Sequence, residues 1–159
     1  MKYNYKIKLQ TTKEQEWQLD AQSKMCNWLY NHLYELVEMD YKNGNTKKLL
    51  NGRNLRNEVP KVKQTNLFLY KVHSSPLKNV AIRLKEAYER FFDPKLENQK
   101  PKFRSWKKKW FSLYYDEPNK GFKLQGEKQL SISFGKLSDD EYKVLKEQDK
   151  QIKKQLSIT

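Results

Sequence analysis

"KPKFRSWKKKWF", residues 100–111, is the stretch on which the fold turns. It sets Phe103, Trp106, Trp110 and Phe111 among six cations, Lys100, Lys102, Arg104, Lys107, Lys108 and Lys109, with no carboxylate between them. Before it the chain reads as helices, and after it as short strands. It is therefore where a helical block hands the chain back to a β-structure. Rings on such a segment either pack inside, as aromatics mostly do, or stack on unpaired bases. Cations there neutralise phosphate and release counterions, an effect independent of sequence and sensitive to salt. The position assigns Phe103 and some of the tryptophans to anchoring the return in the core. It leaves the lysines and Arg104 facing nucleic-acid backbone.

Upstream, residues 3–9 alternate Tyr3, Tyr5, Ile7 and Leu9 with Asn4, Lys6 and Lys8, the period of a half-buried strand with a cationic second face. Thr12 with Gln15 predicts a capping box and a helix running to about Asn43, with Gly44 as its stop. Its apolar stripe is Trp17, Ala21, Met25, Trp28, Leu29, Leu33 and Leu36. A polar loop over 43–54 leads to a short helix over 53–59 that ends before Pro60. Residues 65–72 are apolar. Ser75 before Pro76 predicts a further helix start, with Leu77, Val80, Ala81, Leu84, Ala87, Tyr88 and Phe91 as the buried face. Glu86 and Arg90 can pair outside, and Pro94 ends that helix.

Downstream, residues 111–115, 121–125 and 129–134 read as strands separated by "EPNKG" and "GEK" turns. Ser138 with Glu141 predicts a charged helix to about Lys154, after which "QLSIT" resembles the beginning of a strand. The expected class is α+β: a small β-domain interrupted by a helical insertion. The expected divisions are a first strand over 1–10, the helical insertion over 11–97 and the remaining β-domain with its charged helix over 98–159.

The 159 residues carry 33 Lys and Arg against 19 Asp and Glu, a formal net charge of +14. Such an excess draws polyanions, either nucleic acid or an anionic membrane. Hydrophobic content is 36% and aromatic content 13%, so a small core rich in rings is expected rather than a disordered basic tail. One cysteine and two histidines exclude an intrachain disulfide and make a Cys/His zinc site implausible. No apolar run approaches the roughly 20 residues of a membrane span, and the opening residues lack a signal-peptide core. A cytoplasmic protein with no membrane partner is expected.

Motifs for enzymatic chemistry are missing. Asp139, Asp140 and Glu141 are adjacent, but Ser138 explains them as first-turn residues. No phosphate-binding glycine loop, nucleophile elbow or paired metal-binding histidines occur, and no cofactor is implied. Binding features are better represented. The helix start at Ser74 and Ser75, with Lys78 in the first turn, can meet phosphate or base edges. Arg53 and Arg56 share a helical face and can meet phosphate or guanine.

The chain resembles the N-terminal part of the TnpB family, transposon-encoded RNA-guided DNA nucleases related to type V CRISPR effectors. The resembling pieces occur in family order: "KIKLQTTKEQEWQL", "MCNWLYNHLYELV" with its Tyr30-Asn31 pair, "VHSSPLKNVAIRLKEAYERFF", "PKFRSWKKKWFSLYY" and "FKLQGEKQLSISFGKL". Together they cover about residues 5–137. Thr11 stands where the family usually has proline, and residues 138–154 depart from the family's short strands.

The resemblance implies a wedge-type β-barrel with an inserted helical recognition domain. It implies guide RNA and target double-stranded DNA as partners. RNA contact falls to Lys6, Lys8, Lys100, Lys102, Arg104, Trp106, Lys107, Lys108, Lys109 and Trp110. Reading of a short target-adjacent motif falls to Arg53, Arg56, Ser74, Ser75 and Lys78. The family's RuvC-like nuclease follows the resembling region, so no catalytic residue and no metal site is expected here. Two other functions are weighed beside this one: a stand-alone DNA-binding regulator, and one half of a split nuclease completed by a second chain.

Overall fold

Thr12 opens the first helix as its capping box predicts. Its hydroxyl accepts the Gln15 N–H at 3.2 Å, and the Gln15 side-chain oxygen accepts the Thr12 N–H at 2.9 Å. That exchange satisfies two donors that a helix start otherwise leaves orphaned. In the computed structural model α1 runs over Lys13–Lys42 and closes on Asn43. The structure describes residues 2–45, 47–105, 107 and 112–135, with Lys143, Glu147, Lys150, Gln151 and Lys154. The capping box expected at Ser138 and the terminal "QLSIT" lie outside them.

Three further helical pieces follow: α2 over Asn54–Thr65, a 3-10 turn over Leu67–Lys71, and α3 over Ser74–Phe92. The core is made by these helices. Cys26, Leu29, Leu33 and Val37 of α1 meet Leu77, Val80, Leu84 and Tyr88 of α3, and Leu55, Val59 and Val62 of α2 close the side. Each fully buried leucine contributes about 1.5–3 kcal/mol by leaving water.

The buried stripe of α1 is rotated from the expected one. Cys26 and Val37 join Leu29 and Leu33 in the buried core, while Met25 and Leu36 pack beside them. Trp17 is 72% exposed, and residues 13–16 beside it are exposed as well, so the first turn of α1 has no buried face. Trp28 lies at the margin, stacked on His32 at 5.0 Å and edge-on to Phe68.

Two helix boundaries differ from expectation. α2 continues through Pro60 to Thr65. Leu55, Val59 and Val62 sit at spacings of four and three, so burial of that stripe outweighs the hydrogen bond lost at proline. Pro60 is on the exposed side, where the carbonyl without a helical partner can reach water. α3 begins at Ser74, and its cap is His73 rather than Ser75. The His73 Nδ1 accepts the Ser75 N–H at 3.1 Å. Of the expected face of α3, Leu77, Val80, Ala81, Leu84 and Tyr88 are buried while Ala87 and Phe91 are half-buried, and the Glu86–Arg90 pair is present at 3.6 Å.

Beyond the helices, β1 (Phe122–Gln125) pairs antiparallel with β2 (Gln129–Ile132), with Leu124 opposite Leu130. Gly126 turns the hairpin at φ +61°, a conformation that glycine adopts without steric cost. Three helices and this two-stranded sheet make the described chain α+β. No barrel is formed among the described residues.

Residues 3–9 and 112–115 join no ladder. A strand needs both a hydrogen-bonded neighbour and a covered face. Tyr3, Tyr5 and Ile7 are 69%, 84% and 77% exposed, so the first segment lacks that cover. Residues 112–115 are instead drawn along α3, where Arg83 holds Ser112 by Nη2 to Oγ at 2.8 Å.

Candidate nucleic-acid interface

The return of the chain after α3 is fixed by amides on α1. Asn27 and Asn31 stand one turn apart on the same face. Asn31 Oδ1 accepts the Arg104 N–H at 2.7 Å, and Asn31 Nδ2 donates to the Arg104 carbonyl at 2.7 Å. Asn27 Nδ2 reaches the same carbonyl at 3.4 Å. A side-chain amide thus supplies the two bonds that a neighbouring strand would supply to a peptide. Pro101 is buried just before this clamp.

Lys100 is tied down as well. Its Nζ donates to Glu38 Oε2 at 2.8 Å and lies 4.8 Å from the centre of the Tyr41 ring. Tyr88, fully buried on α3, donates its hydroxyl to Glu38 Oε1 at 2.6 Å. Glu38 therefore joins α1, α3 and the returning chain through one carboxylate. Burial alone would raise its pKa, but the Lys100 and Tyr88 hydrogen bonds and the nearby lysine charges hold it below the ordinary value. The hydrogen bond to Glu38 pushes Lys100 up. Burial, followed by Glu38, pushes Tyr88 up.

These contacts sort the basic-aromatic stretch. Lys100 faces inward to Glu38, and Arg104 is half-buried and held by its backbone. Lys102, Phe103 and Lys107 are left at the surface. Phe103 is 57% exposed and touches Tyr34 edge-on at 6.0 Å, so it does not anchor the return in the core as expected. The backbone clamp and Pro101 do that instead. Trp106, Lys108, Lys109 and Trp110 lie outside the described residues. Lys6 and Lys8 are exposed on the N-terminal segment. Lys8 borders an open groove of about 880 Å³ between that segment and β2, walled by Ile7, Leu9, Leu130 and Phe134.

The residues expected to read DNA fall into an inner and an outer group. Arg53 is exposed at the start of α2. With Arg56, it borders a shallow cleft of about 190 Å³ against Lys85, Glu86 and Glu89 of α3. Ser74 is exposed, whereas Ser75 is buried beneath the chain that follows residue 112. Lys78 pairs with Glu117 at 3.0 Å. The Ser75 hydroxyl beside Asp116, with the charges of Lys78 and Arg56, holds the Asp116 carboxyl below its ordinary value. Of these residues Lys78 is thus in direct contact with the returning chain, through Glu117.

Sequence reasoning passed over Glu38, Asn27, Asp116 and Glu117, and it saw Asn31 only as part of a resembling pair. A signal for the amides existed. Gln22, Asn27 and Asn31 fall on or beside the buried stripe of α1, and buried amides require partners. Gln22 finds its partner in the Lys71 carbonyl at 3.1 Å. The two carboxylates carried no such mark, since "YDEPNKG" reads as an ordinary turn.

Among the described residues no group of three or more His, Cys, Asp or Glu is placed to hold a metal ion. No described helix is long and apolar enough to cross a membrane. Compared with family models, curated proteins and solved structures, the chain matches none.

Proposed function

We propose that this chain is a nucleic-acid-binding module. In this reading it holds the guide-RNA scaffold and a short target-adjacent DNA motif within an RNA-guided DNA-targeting protein of the TnpB kind, working in the cytoplasm. The hairpin and the flanking segments would belong to a wedge-type β-barrel, and α1 to α3 to the inserted recognition domain. DNA cleavage would be supplied by a RuvC-like part or by a second chain.

One observation carries the reading. The segment 100–105 is anchored through its backbone and through Lys100, so Lys102, Phe103 and Lys107 stay outside. Exposed cations beside an exposed ring suit a single strand, with the charges following phosphates and the ring stacking on a base. The +14 formal charge supplies the long-range attraction.

The test is the ultraviolet absorbance ratio of the purified protein, followed by sequencing of any RNA that it carries. Bound RNA of one recurring sequence is expected. Protein that is free of RNA and binds duplex DNA with sequence preference would instead favour a stand-alone regulator, and the guide reading would fall.

A further inference from the structure

Residues 112–121 run back along α3 toward its start. Arg83 holds Ser112, Leu113 packs against the core, and the Tyr115 ring lies 5.9 Å from His73. The Gly121 N–H donates to the Glu117 carbonyl at 2.8 Å, closing a tight turn. The turn delivers two adjacent carboxylates, Asp116 and Glu117, to the first turn of α3 and its Lys78. Glu117 meets Lys78 at 3.0 Å, and the carboxyl of the adjacent Asp116 is held below its ordinary value by the Ser75 hydroxyl and then by the charges of Lys78 and Arg56. Lys78, one of the residues nominated for DNA contact, is therefore already engaged by one of the chain's own anions.

We infer that Asp116 and Glu117 form an internal anionic plug over Lys78 at the start of α3, which the phosphate backbone of duplex DNA must displace in order to bind there. The inference rests on the nucleic-acid reading above. The plug is placed to exchange. The side chains of Lys78 and Glu117 are 23% and 37% exposed, so the pair can part without opening the core. An ion pair this exposed is weak. Phosphate can compete with it at a modest penalty, and the plug sets a threshold rather than a block. It also favours a ligand that brings several phosphates at once over a lone anion.

The experiment measures duplex binding of the 159-residue chain by fluorescence anisotropy, using a 20-base-pair probe at fixed low salt. Asp116→Asn/Glu117→Gln is compared with Glu35→Gln/Glu127→Gln, which makes the same charge change at exposed positions elsewhere. The plug variant should bind about three- to tenfold tighter than the control variant. Glu117→Gln alone should give part of that gain, and it guards against loss of folding at Ser75. In a Lys78→Ala background the gain should vanish. A gain no larger than the control's, or one that survives without Lys78, overturns the plug and leaves the nucleic-acid reading standing. If neither the parent chain nor any variant binds duplex DNA or RNA, both fall.

Discussion

Asn31 and Arg104 are joined by two hydrogen bonds of 2.7 Å, side-chain amide to backbone peptide, across 73 residues of sequence. The pair lets α1 receive the returning chain as a sheet edge would. It also keeps Lys102 and Lys107, on either side of it, at the surface.

Replacing Asn31 with Ala should cost about 1–3 kcal/mol, since two peptide groups lose their partners together. Urea unfolding reads that loss. Asn31→Asp is the sharper variant: it keeps an acceptor for the Arg104 N–H but sets a carboxylate oxygen against the Arg104 carbonyl. Hydrogen exchange should therefore show the Arg104 amide still protected in Asn31→Asp and unprotected in Asn31→Ala.

The Glu38 junction should act within a defined pH window. Glu38 is held below its ordinary value of 4.5, so its contribution is present above that pH and fades as acid protonates the folded form. Lys100 is raised above 10.5, so its contribution is complete below that pH and is lost as alkali deprotonates the folded form. Glu38→Gln should destabilise most between these limits, and its difference from the parent chain should shrink below about pH 4. Tyr88→Phe removes a hydrogen bond to the same charged group and should cost about 1.5–3 kcal/mol at neutral pH. The two changes combined should cost less than their sum, because they share that bond. Additive losses would show that the hydroxyl and the carboxylate act independently.

Phe103 and its neighbouring lysines should separate from the core in mutation. Phe103→Ala should alter stability by no more than about 0.5 kcal/mol, as exposed side chains generally do. If the ring stacks on a base, the same change should weaken single-strand RNA binding by about 1–3 kcal/mol. Lys102→Ala/Lys107→Ala should flatten the salt dependence by about 0.7 log unit for each lost contact on a single strand. An unchanged slope would assign those lysines to solvation alone.

Pro60→Ala should stabilise the chain. The helix already passes through this exposed position, and alanine restores a backbone donor toward the Arg56 carbonyl. A gain of about 1–3 kcal/mol is expected in thermal or urea unfolding. A loss would mean that the proline's restriction of the unfolded chain outweighs the missing bond.

What was legible in the sequence was local. Thr12 and Gln15 sit three residues apart and can only cap a helix, and the apolar spacing in α3 repeats until Phe91. Gly126 marks the hairpin turn that forms. Tertiary competition decided the rest. Pro60 signals a stop by itself, yet three apolar residues on one face keep α2 going. Trp17 fits the helical period, but no described residue covers it at the exposed first turn of α1. Residues 3–9 have the alternation of a strand without a described neighbour to pair with. The site divided in the same way. Charge density at residues 100–109 was visible, whereas the inward turn of Lys100 depends on Glu38, 62 residues earlier. The carboxylate that meets Lys78, that of Glu117, lies 39 positions after it, beyond the reach of any spacing rule.

Gly135 brings the hairpin back to the helices. Its N–H donates to the Lys71 carbonyl at 3.1 Å, the same oxygen that Gln22 of α1 holds. A β-carbon at 135 would overlap the Tyr70 carbonyl and crowd that of Val72. Most surface positions of such a chain can drift through many residue types over evolutionary time. Position 135 has no neighbouring sequence to drift into, since even alanine would prise the two parts of the protein apart.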